Sequence, residues 1–268
     1  MTTRLILGLS LLLAGCANSP STAQPKPLIH AHAHNDYEHP RPLLDALDHG
    51  FCSVEADIFL VDGQLLVAHD RKGLKPERSL QSLYLDPLKK RALDHGGRIY
   101  RNGPTIVLLV DFKTSGEEMW PVLREVLSHY GAILTSFDEG VVKMRAVTVV
   151  LTGGRPEKMV AAESRRLAAL DGTFANLDAN LSPVLMPWIS EQWTKFFQWK
   201  GIGPLPDEDR TKLRDLVNQV HRQGKLLRFW GGPDIEAAWR EQRAAGVDWI
   251  NSDDLGGVQK FLLGEHDK

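Results

Sequence analysis

Three histidines stand at two-residue spacing in the segment "LIHAHAHNDY", which runs from Leu28 to Tyr37. In a β-strand alternate side chains share one face, so His30, His32 and His34 would point the same way and only the last would reach the strand end. Such a pattern suits a metal-binding HxH pair, a general acid or base, or polar side chains that are hydrogen-bonded inside the fold. We favour His34 for chemistry and interior positions for His30 and His32.

Two apolar segments further along the chain carry carboxylates. "SVEADIF" places Glu55 and Asp57 two residues apart on one face of a strand, and "IVLLVDFK" leads through apolar residues to Asp111 and Lys113. Carboxylate oxygens are the ligands that Mg²⁺ and Ca²⁺ prefer. A further run, "LLVAHD", ends on His69. These residues predict a site for one divalent cation, Mg²⁺ or Ca²⁺, flanked by two histidines.

The elements that must position these residues alternate between apolar strands and amphipathic helices. This rhythm predicts an α/β fold, a (β/α)8 TIM barrel over residues 28–268, in which catalytic residues lie at the carboxyl ends of the strands. Residues 170–203 do not divide clearly into a strand and a helix. The predicted strands are Leu28–His34, Cys52–Leu60, Gln64–His69, Thr105–Phe112, Ala132–Ser136, Val147–Thr152, Lys225–Trp230 and Trp249–Ser252.

Composition limits the class of protein. The chain has 268 residues, of which 43% are hydrophobic and 25% charged, so it can bury one large core and is not a disordered sequence. Its formal net charge is −2, and no basic run with interleaved aromatic residues occurs. Nucleic acid is therefore not an expected partner.

The amino terminus reads as an export signal. Residues 1–15 carry Arg4 and then an apolar run too short to span a bilayer, and "LAGC" resembles the lipobox of bacterial lipoproteins, in which Cys16 becomes lipidated. Residues 16–27 are rich in Ser, Pro and Ala and are predicted to form a flexible tether. We expect a protein exported to the bacterial cell envelope and lipid-anchored to the membrane on the periplasmic side. An ordinary cleaved signal is the alternative.

The stretch "HAHNDYEHPRPLLDALDHGFCSVEADIFLVDGQLLVAHD" resembles the amino-terminal part of the phospholipase-C-like phosphodiesterase superfamily. That superfamily includes glycerophosphodiester phosphodiesterases and spider-venom sphingomyelinase D, and the likeness is strongest to the altered inheritance of mitochondria protein 6-like family. "LLVDFK", "LLRFWGGPD" and "WINSDDL" extend the resemblance in order along the chain.

The resemblance implies a metal-dependent phosphodiesterase acting on a small phosphodiester or a lipid head group. It implies two catalytic histidines, His34 and His69, and three metal ligands, Glu55, Asp57 and Asp111. Asn35 stands where glycerophosphodiesterases usually carry an arginine, and the third ligand is Asp, as in the sphingomyelinase D pattern. The candidate substrate-binding residues are Asn35, Lys113, Arg228 and Trp230. The last two stand at the end of the predicted strand Lys225–Trp230, where they either contact a phosphate or a substrate ring or pack beneath the rim.

Two other functions fit parts of the sequence. A binuclear hydrolase of the amidohydrolase or PHP type would use an HxH pair, but it needs further strand-end histidines, and His129 and His221 fall in helical stretches. An anchored binding protein with a degenerate site is the second alternative. In that case the aromatic segment around Trp188 and Trp199 would contact a membrane or a ligand, although such spacing is more typical of a core.

Overall fold

Runs of Val, Leu and Ile that end in polar residues form the parallel strands of a barrel. The computed structural model describes residues 24–264. The strands are β1 (Leu28–Ala33), β2 (Phe51–Val61), β3 (Gln64–Val67), β4 (Ile106–Phe112), β5 (Ser136–Asp138), β6 (Val141–Lys143), β7 (Val147–Gly153), β8 (Arg165–Arg166), β9 (Ala168–Gly172), β10 (Trp188–Gln192), β11 (Leu226–Trp230) and β12 (Ile250–Ser252). The helices are α1 (Leu44–Asp48), α2 (Asp86–Asp94), α3 (Gly116–Ser128), α4 (Glu157–Ala161), α5 (Asp207–His221), α6 (Glu236–Ala245) and α7 (Leu255–Leu263).

Eight parallel strands follow one another around the barrel in chain order: β1, β2, β4, β7, β9, β10, β11 and β12. A parallel bridge between Arg228 and Trp249 joins the last two strands and nearly closes the barrel. The predicted (β/α)8 fold is therefore confirmed. Because all eight strands point the same way, their carboxyl ends meet at one rim, where a site can form from several strands.

Two of the predicted strands do not belong to the barrel. Gln64–His69 was expected as a strand of the series, but β3 pairs antiparallel with β2 and returns beside it as a hairpin. Ala132–Ser136 contributes one bridge from Leu134 to Val147, and the chain then enters a separate small sheet ordered β6-β5-β8. Both segments have the apolar composition of strands, and only the pairing partner distinguishes them from barrel strands.

Two barrel strands lie in the stretch that the sequence did not divide. β9 and β10 have five residues each and carry Asp171, Ser190 and Glu191, which lie on or beside the barrel interior. Short strands with polar residues lack the hydrophobic run by which strands are recognised. The sequence therefore located their region but not their boundaries.

Most of the aromatic segment packs into the core. Trp188, Trp193 and Phe197 are at most 2% exposed, and the Trp193 ring lies 4.3 Å from that of Phe197 and 5.6 Å from that of Phe229. The core role is thus confirmed for these rings. In the span 24–264, no helix is long and apolar enough to cross a membrane.

The predicted signal peptide, Cys16 and the predicted tether up to residue 23 lie outside the described residues, as do residues 265–268. The last part of the predicted tether is described and is held to the domain. The Gln24 side chain accepts a hydrogen bond from the Arg101 amide and donates one to the Arg101 carbonyl.

Candidate active site

Three carboxylates meet at the rim where β2 and β4 lie side by side. Asp57 and Asp111 are direct partners in the parallel pairing, and Glu55 stands two residues deeper on the same face of β2. One carboxylate oxygen from each of the three lies within 4.8 Å of the others. The predicted ligands are therefore brought together by strand register alone.

Lys113 closes this group from the side. Its ammonium lies 2.7 Å from an Asp111 oxygen and 2.9 Å from Asp57 Oδ2. Burial by itself would lower the pKa of Lys113, but Asp111 and Asp57 outweigh that effect and raise it. Lys113 is therefore a permanent cation at the edge of the cleft.

Asp57 is the most constrained carboxylate of the three. It is 1% exposed, and its Oδ2 accepts hydrogen bonds from the Tyr37 hydroxyl at 2.6 Å and from Lys113, while its Oδ1 is buried without a hydrogen-bond partner. Burial, together with the charges of Glu55 and Asp111, raises the pKa of Asp57 to about 6. An unpaired buried oxygen among three acids is the arrangement that a cation would satisfy.

Beneath the acids lies a buried network around Arg228. This guanidinium is 3% exposed, and it donates to Asn251 Oδ1 at 2.9 Å and to Ser190 Oγ at 3.1 Å. It also lies 3.4 Å from Glu55 Oε2. Burial alone would raise the pKa of Glu55, but the charge of Arg228 holds it well below its usual range. Glu55 is therefore ionised and fixed in position.

His32 belongs to this network and not to the cleft. It is fully buried, its Nδ1 lies 2.7 Å from Ser53 Oγ, and Arg228 approaches its Nε2 at 2.8 Å. Burial and the Arg228 charge lower the pKa of His32 to about 4, so the ring is neutral. Because Nε2 accepts from Arg228, we assign the proton to Nδ1, which donates to Ser53.

His30 lies at the other end of β1. It is half-buried, and its Nδ1 is 2.8 Å from the carbonyl of Asp248, at the amino-terminal side of the barrel. The pairing of β1 with β2 shifts register between Leu28 and His32. His30 is thus less enclosed than strand alternation predicted, and His30 and His32 contact different partners. Among the described residues, the cluster that fits a metal contains carboxylates and no histidine.

His34 comes directly after β1 and faces the cleft. The pairing of β1 with β12 places Asp253 next to it, and His34 Nδ1 lies 2.9 Å from Asp253 Oδ1. Burial would lower the pKa of His34, but the carboxylates of Asp253 and Glu55 outweigh it and raise the pKa. With Nδ1 directed to Asp253, Nε2 is left for a ligand in the cleft.

His69 reaches the rim through the β2–β3 hairpin. β2 extends beyond the barrel to Val61, and β3 returns until the Ala68 amide donates to the Asp57 carbonyl, so the next residue stands beside the acids. The His69 side chain is 67% exposed, and its Nδ1 lies 3.8 Å from Asp57 Oδ2. His69 is therefore positioned by a hairpin and not, as the sequence predicted, by a separate barrel strand.

Tyr37 connects the two cleft histidines. Its buried hydroxyl lies 2.7 Å from Asn35 Oδ1, 2.6 Å from Asp57 Oδ2 and 3.2 Å from His69 Nδ1. Asn35 adopts a left-handed backbone conformation with φ 46°, and its amide lies 2.9 Å from His34 Nδ1. The "HNDY" segment therefore holds both imidazoles through one short chain of contacts.

The acids and histidines open into a cleft of about 410 Å³ whose far wall comes from β7 to β11. Three of the candidate substrate-binding residues line it, namely Lys113, Asn35 and Trp230. Trp230 is 38% exposed. Arg228 contributes only to the floor of the cleft. The wall adds residues that sequence reasoning did not select: Thr152, Arg155, Asp171, Ser190, Glu191 and Lys195.

Asp171 is the most distinctive of these missed residues. It is 1% exposed, accepts a hydrogen bond from Thr152 Oγ1 at 3.0 Å through Oδ2, and has no partner for its buried Oδ1. Burial raises its pKa. The sequence signal was weak but present, because "ALDG" places an acid after three apolar residues, as "LLVDF" does for Asp111.

The fold is that of the phospholipase-C-like barrel phosphodiesterases. A calcium-dependent phosphoinositol-specific phospholipase C from Pseudomonas sp. superposes with a TM-score of 0.57 at 13% identity, covering 88% of this chain and 93% of that one. A glycerophosphodiester phosphodiesterase from Agrobacterium tumefaciens superposes with a TM-score of 0.50 at 16% identity, covering 87% and 99%. At these identities the likeness shows the fold.

The chain belongs to the family of the AIM6-like phosphodiesterase domain, whose family model matches residues 22–170. A model of the glycerophosphoryl diester phosphodiesterase family matches residues 227–256. Altered inheritance of mitochondria protein 6 of Eremothecium gossypii is 29% identical, over 87% of this chain and 69% of that protein. Its homolog in Arthroderma benhamiae is 28% identical, over 87% and 84%. The family resemblance drawn from the sequence is confirmed.

Proposed function

We propose that the protein is a metal-dependent phosphodiesterase that uses His34 and His69 as its general acid and base. The observation that carries the proposal is the convergence of three carboxylates, a lysine and two histidines in one cleft. These groups come from separate segments of the chain. A purely structural ion-pair network would not need two imidazoles facing an open cleft.

Glu55, Asp57 and Asp111 would hold one divalent cation, Mg²⁺ or Ca²⁺. The residues fit such an ion, because the three acids outnumber the two cations that contact them and Asp57 Oδ1 has no partner. When bound, the cation supplies positive charge that binds a phosphate oxygen and offsets the charge that grows during displacement at phosphorus. Lys113 adds a second positive charge beside it.

The proton transfers follow from the surroundings of the two imidazoles. We assign His34 as the acid, because its raised pKa favours the protonated ring, and Asp253 orients it. His69 is then the base. The attacking group is a neighbouring hydroxyl of the substrate or, in a diester without one, water. It bonds to phosphorus and gives its proton to His69, while the bond to the leaving alcohol breaks and that oxygen takes the proton of His34. The resemblance to the superfamily implies a cyclic phosphate as the product.

The substrate is a phosphodiester small enough for a cleft of about 410 Å³, either free or as a lipid head group. Asn35 and Trp230 line the cleft and are proposed to contact it. Arg228 has its guanidinium engaged by Ser190, Asn251 and His32. We therefore propose that Arg228 acts chiefly by fixing the floor beneath Glu55.

We also propose that the protein is exported and lipid-anchored at Cys16 in the cell envelope. The support is the "LAGC" sequence after an apolar run, followed by the Ser- and Pro-rich stretch that leads to the barrel.

The test is turnover of bis(p-nitrophenyl) phosphate and of glycerophosphodiesters by purified protein, first treated with a chelator and then supplied with Mg²⁺ or Ca²⁺. We expect turnover only with metal. Asp111→Asn should lower it about a thousandfold, because the ligand loses its negative charge and binds the cation less strongly. Calorimetry should show weaker metal binding by the same variant. Glu117→Gln, at an exposed acid on α3, is the matched control and should behave as the parent.

Turnover that survives chelation would contradict the metal dependence. Binding of the diesters without turnover under any metal would instead support an anchored binding protein with a degenerate site.

A further inference from the structure

A short hairpin projects from the face of the barrel opposite the cleft. β5 and β6 are joined by Glu139 and Gly140, both with left-handed backbone (φ 48° and 84°), which makes a tight two-residue turn. The Thr135 amide donates to the carbonyl of Val147, the first residue of β7. Because the barrel strands are parallel, this attachment places the hairpin at their amino-terminal ends.

The hairpin exposes apolar side chains on both of its faces. Val141 is 58% exposed, Val142 36% and Met144 59%. β6 pairs with β5 alone among the described strands, so its outer edge carries no ladder partner. Exposed apolar residues on an unpaired edge favour association with another surface, because covering them removes apolar area from water.

Charges of both signs flank these apolar residues, with an excess of positive charge. Lys143 ends β6 and Arg145 follows it by two residues, and neither forms an ion pair within residues 24–264. The same holds for Arg101, in the connection between α2 and β4. Glu139 at the turn is also unpaired. Arg165 and Arg124 do pair with carboxylates, and they line a cavity of about 420 Å³ beside the hairpin. Unpaired cations thus outnumber unpaired acids here, although the whole chain carries a net charge of −2.

The chain also enters the domain at this face. Gln24 is hydrogen-bonded to the backbone of Arg101, and the Arg145 carbonyl accepts a hydrogen bond from Thr105 Oγ1 at 2.6 Å, in the same connection between α2 and β4. The described part of the chain therefore begins at Gln24, on the side of the barrel that carries the hairpin.

We propose that this amino-terminal face docks on an anionic lipid surface. Val141, Val142 and Met144 enter the interface between head groups and acyl chains, while Lys143 and Arg145 contact lipid phosphates. A second copy of the chain is a poorer occupant, because two faces with excess positive charge would repel each other. In this orientation the catalytic cleft faces away from the bilayer, toward soluble diesters.

The experiment measures cosedimentation of residues 16–268, the chain without the predicted signal, with vesicles. The parent carries Cys16→Ser, so that neither the apolar signal nor an acyl chain is present and binding reports the surface of the protein. Vesicles of phosphatidylglycerol mixed with phosphatidylcholine are compared with vesicles of phosphatidylcholine alone. We expect binding to the anionic vesicles only, weakened by salt. Lys143→Glu should weaken binding about fivefold or more, since each basic residue near such a surface contributes on the order of 1 kcal/mol.

Val141→Asp should also reduce binding, by preventing insertion. Ile202→Asp is the matched control, because Ile202 is 87% exposed but follows β10 and so lies on the cleft side. It should bind as the parent does. Thermal unfolding checks that each variant is folded, and Lys143→Glu replaces an exposed residue that the fold does not need.

Three results would overturn the proposal. The parent could fail to bind anionic vesicles, or Ile202→Asp could lose binding as strongly as the hairpin variants. The third is a dimer in solution that Val141→Asp dissociates, without vesicle binding, which would assign the hairpin to a second copy.

Discussion

The two halves of the barrel rim differ in how their polar groups are satisfied. In the first half, from β1 to β4, the side chains hold one another: Tyr37 contacts Asp57 and His69, and Lys113 contacts two acids. In the second half, from β7 to β11, the side chains that line the cleft above Arg228 form separate pairs. Thr152 donates to Asp171 and Lys195 pairs with Glu191, and the Trp230 ring is partly exposed. Each half has one buried carboxylate oxygen without a partner, Asp57 Oδ1 and Asp171 Oδ1.

This difference indicates that the first half of the rim carries out the chemical step and the second half recognises the substrate. Interlocked groups keep fixed positions, which proton transfer and metal binding require. Side chains with fewer partners in the protein can contact different groups of a ligand. They suit the part of the substrate that varies, namely its alcohol. We therefore expect substitutions in the first half to lower kcat and those in the second half to change KM.

The strongest test of the comparison removes the histidines of the first half. His34→Ala and His69→Ala should each lower kcat on alkyl phosphodiesters about a hundredfold or more, the scale for loss of a general acid or base. A p-nitrophenyl leaving group departs without a proton, so His34→Ala should lower kcat much less on such a diester. His69→Ala should lower kcat equally on both substrates.

Steady-state kinetics on the two substrate classes measures this, with His129→Ala, at an exposed helix end, as the control. Equal losses for His34→Ala on both classes would contradict its role as the acid.

The second test concerns Asp36, a carboxylate of the first half that serves structure. It is fully buried and accepts hydrogen bonds from the Leu43 amide and the Tyr84 hydroxyl, yet burial raises its pKa to about 7 from 3.8. The folded state then holds more protons between pH 4 and 7, so this group lowers stability as pH rises through that window. Asp36→Asn should therefore stabilise the protein at pH 8, by up to about 4 kcal/mol, and have little effect below pH 4.

Urea unfolding at both pH values measures the difference between variant and parent. Asp94→Asn is the control, since Lys90 lowers the pKa of this exposed acid and its removal should give no stabilisation at pH 8. A stabilisation by Asp36→Asn that is the same at both pH values would contradict the assignment to ionisation.

The smallest expected effect lies in the second half. Asp171→Asn should raise KM for glycerophosphodiesters about tenfold, the scale of one hydrogen bond to a charged group. The KM for bis(p-nitrophenyl) phosphate should stay almost unchanged, because its aryl groups offer no hydrogen-bond donor. Asp178→Asn, at an exposed acid in the connection that follows β9, is the control. A loss of kcat on both substrates would show that Asp171 takes part in the chemical step. It would contradict the division of the rim into a catalytic half and a recognition half.

Most of the first half of the rim could be predicted from the sequence. The acids of β2 and β4 follow long apolar runs, and parallel strands bring such ends together in any barrel. The second half could not be predicted, because β9 and β10 are short and carry polar residues that weaken the strand pattern. Tyr37 and Asp253 were missed because nothing in their local sequence shows that they contact the imidazoles.

By itself the sequence determined the barrel, its family, and the set of acids and histidines, because apolar periodicity and residue type are local properties. Tertiary structure alone decided which contacts those residues make. Strand register set Asp111 beside Asp57 and Asp253 beside His34, and the β2–β3 hairpin returned His69 to the rim. For Arg228 the sequence left a substrate contact and packing beneath the rim equally open. The structure places it in the floor, since only the packed barrel fixes how deep an inward-pointing side chain is buried.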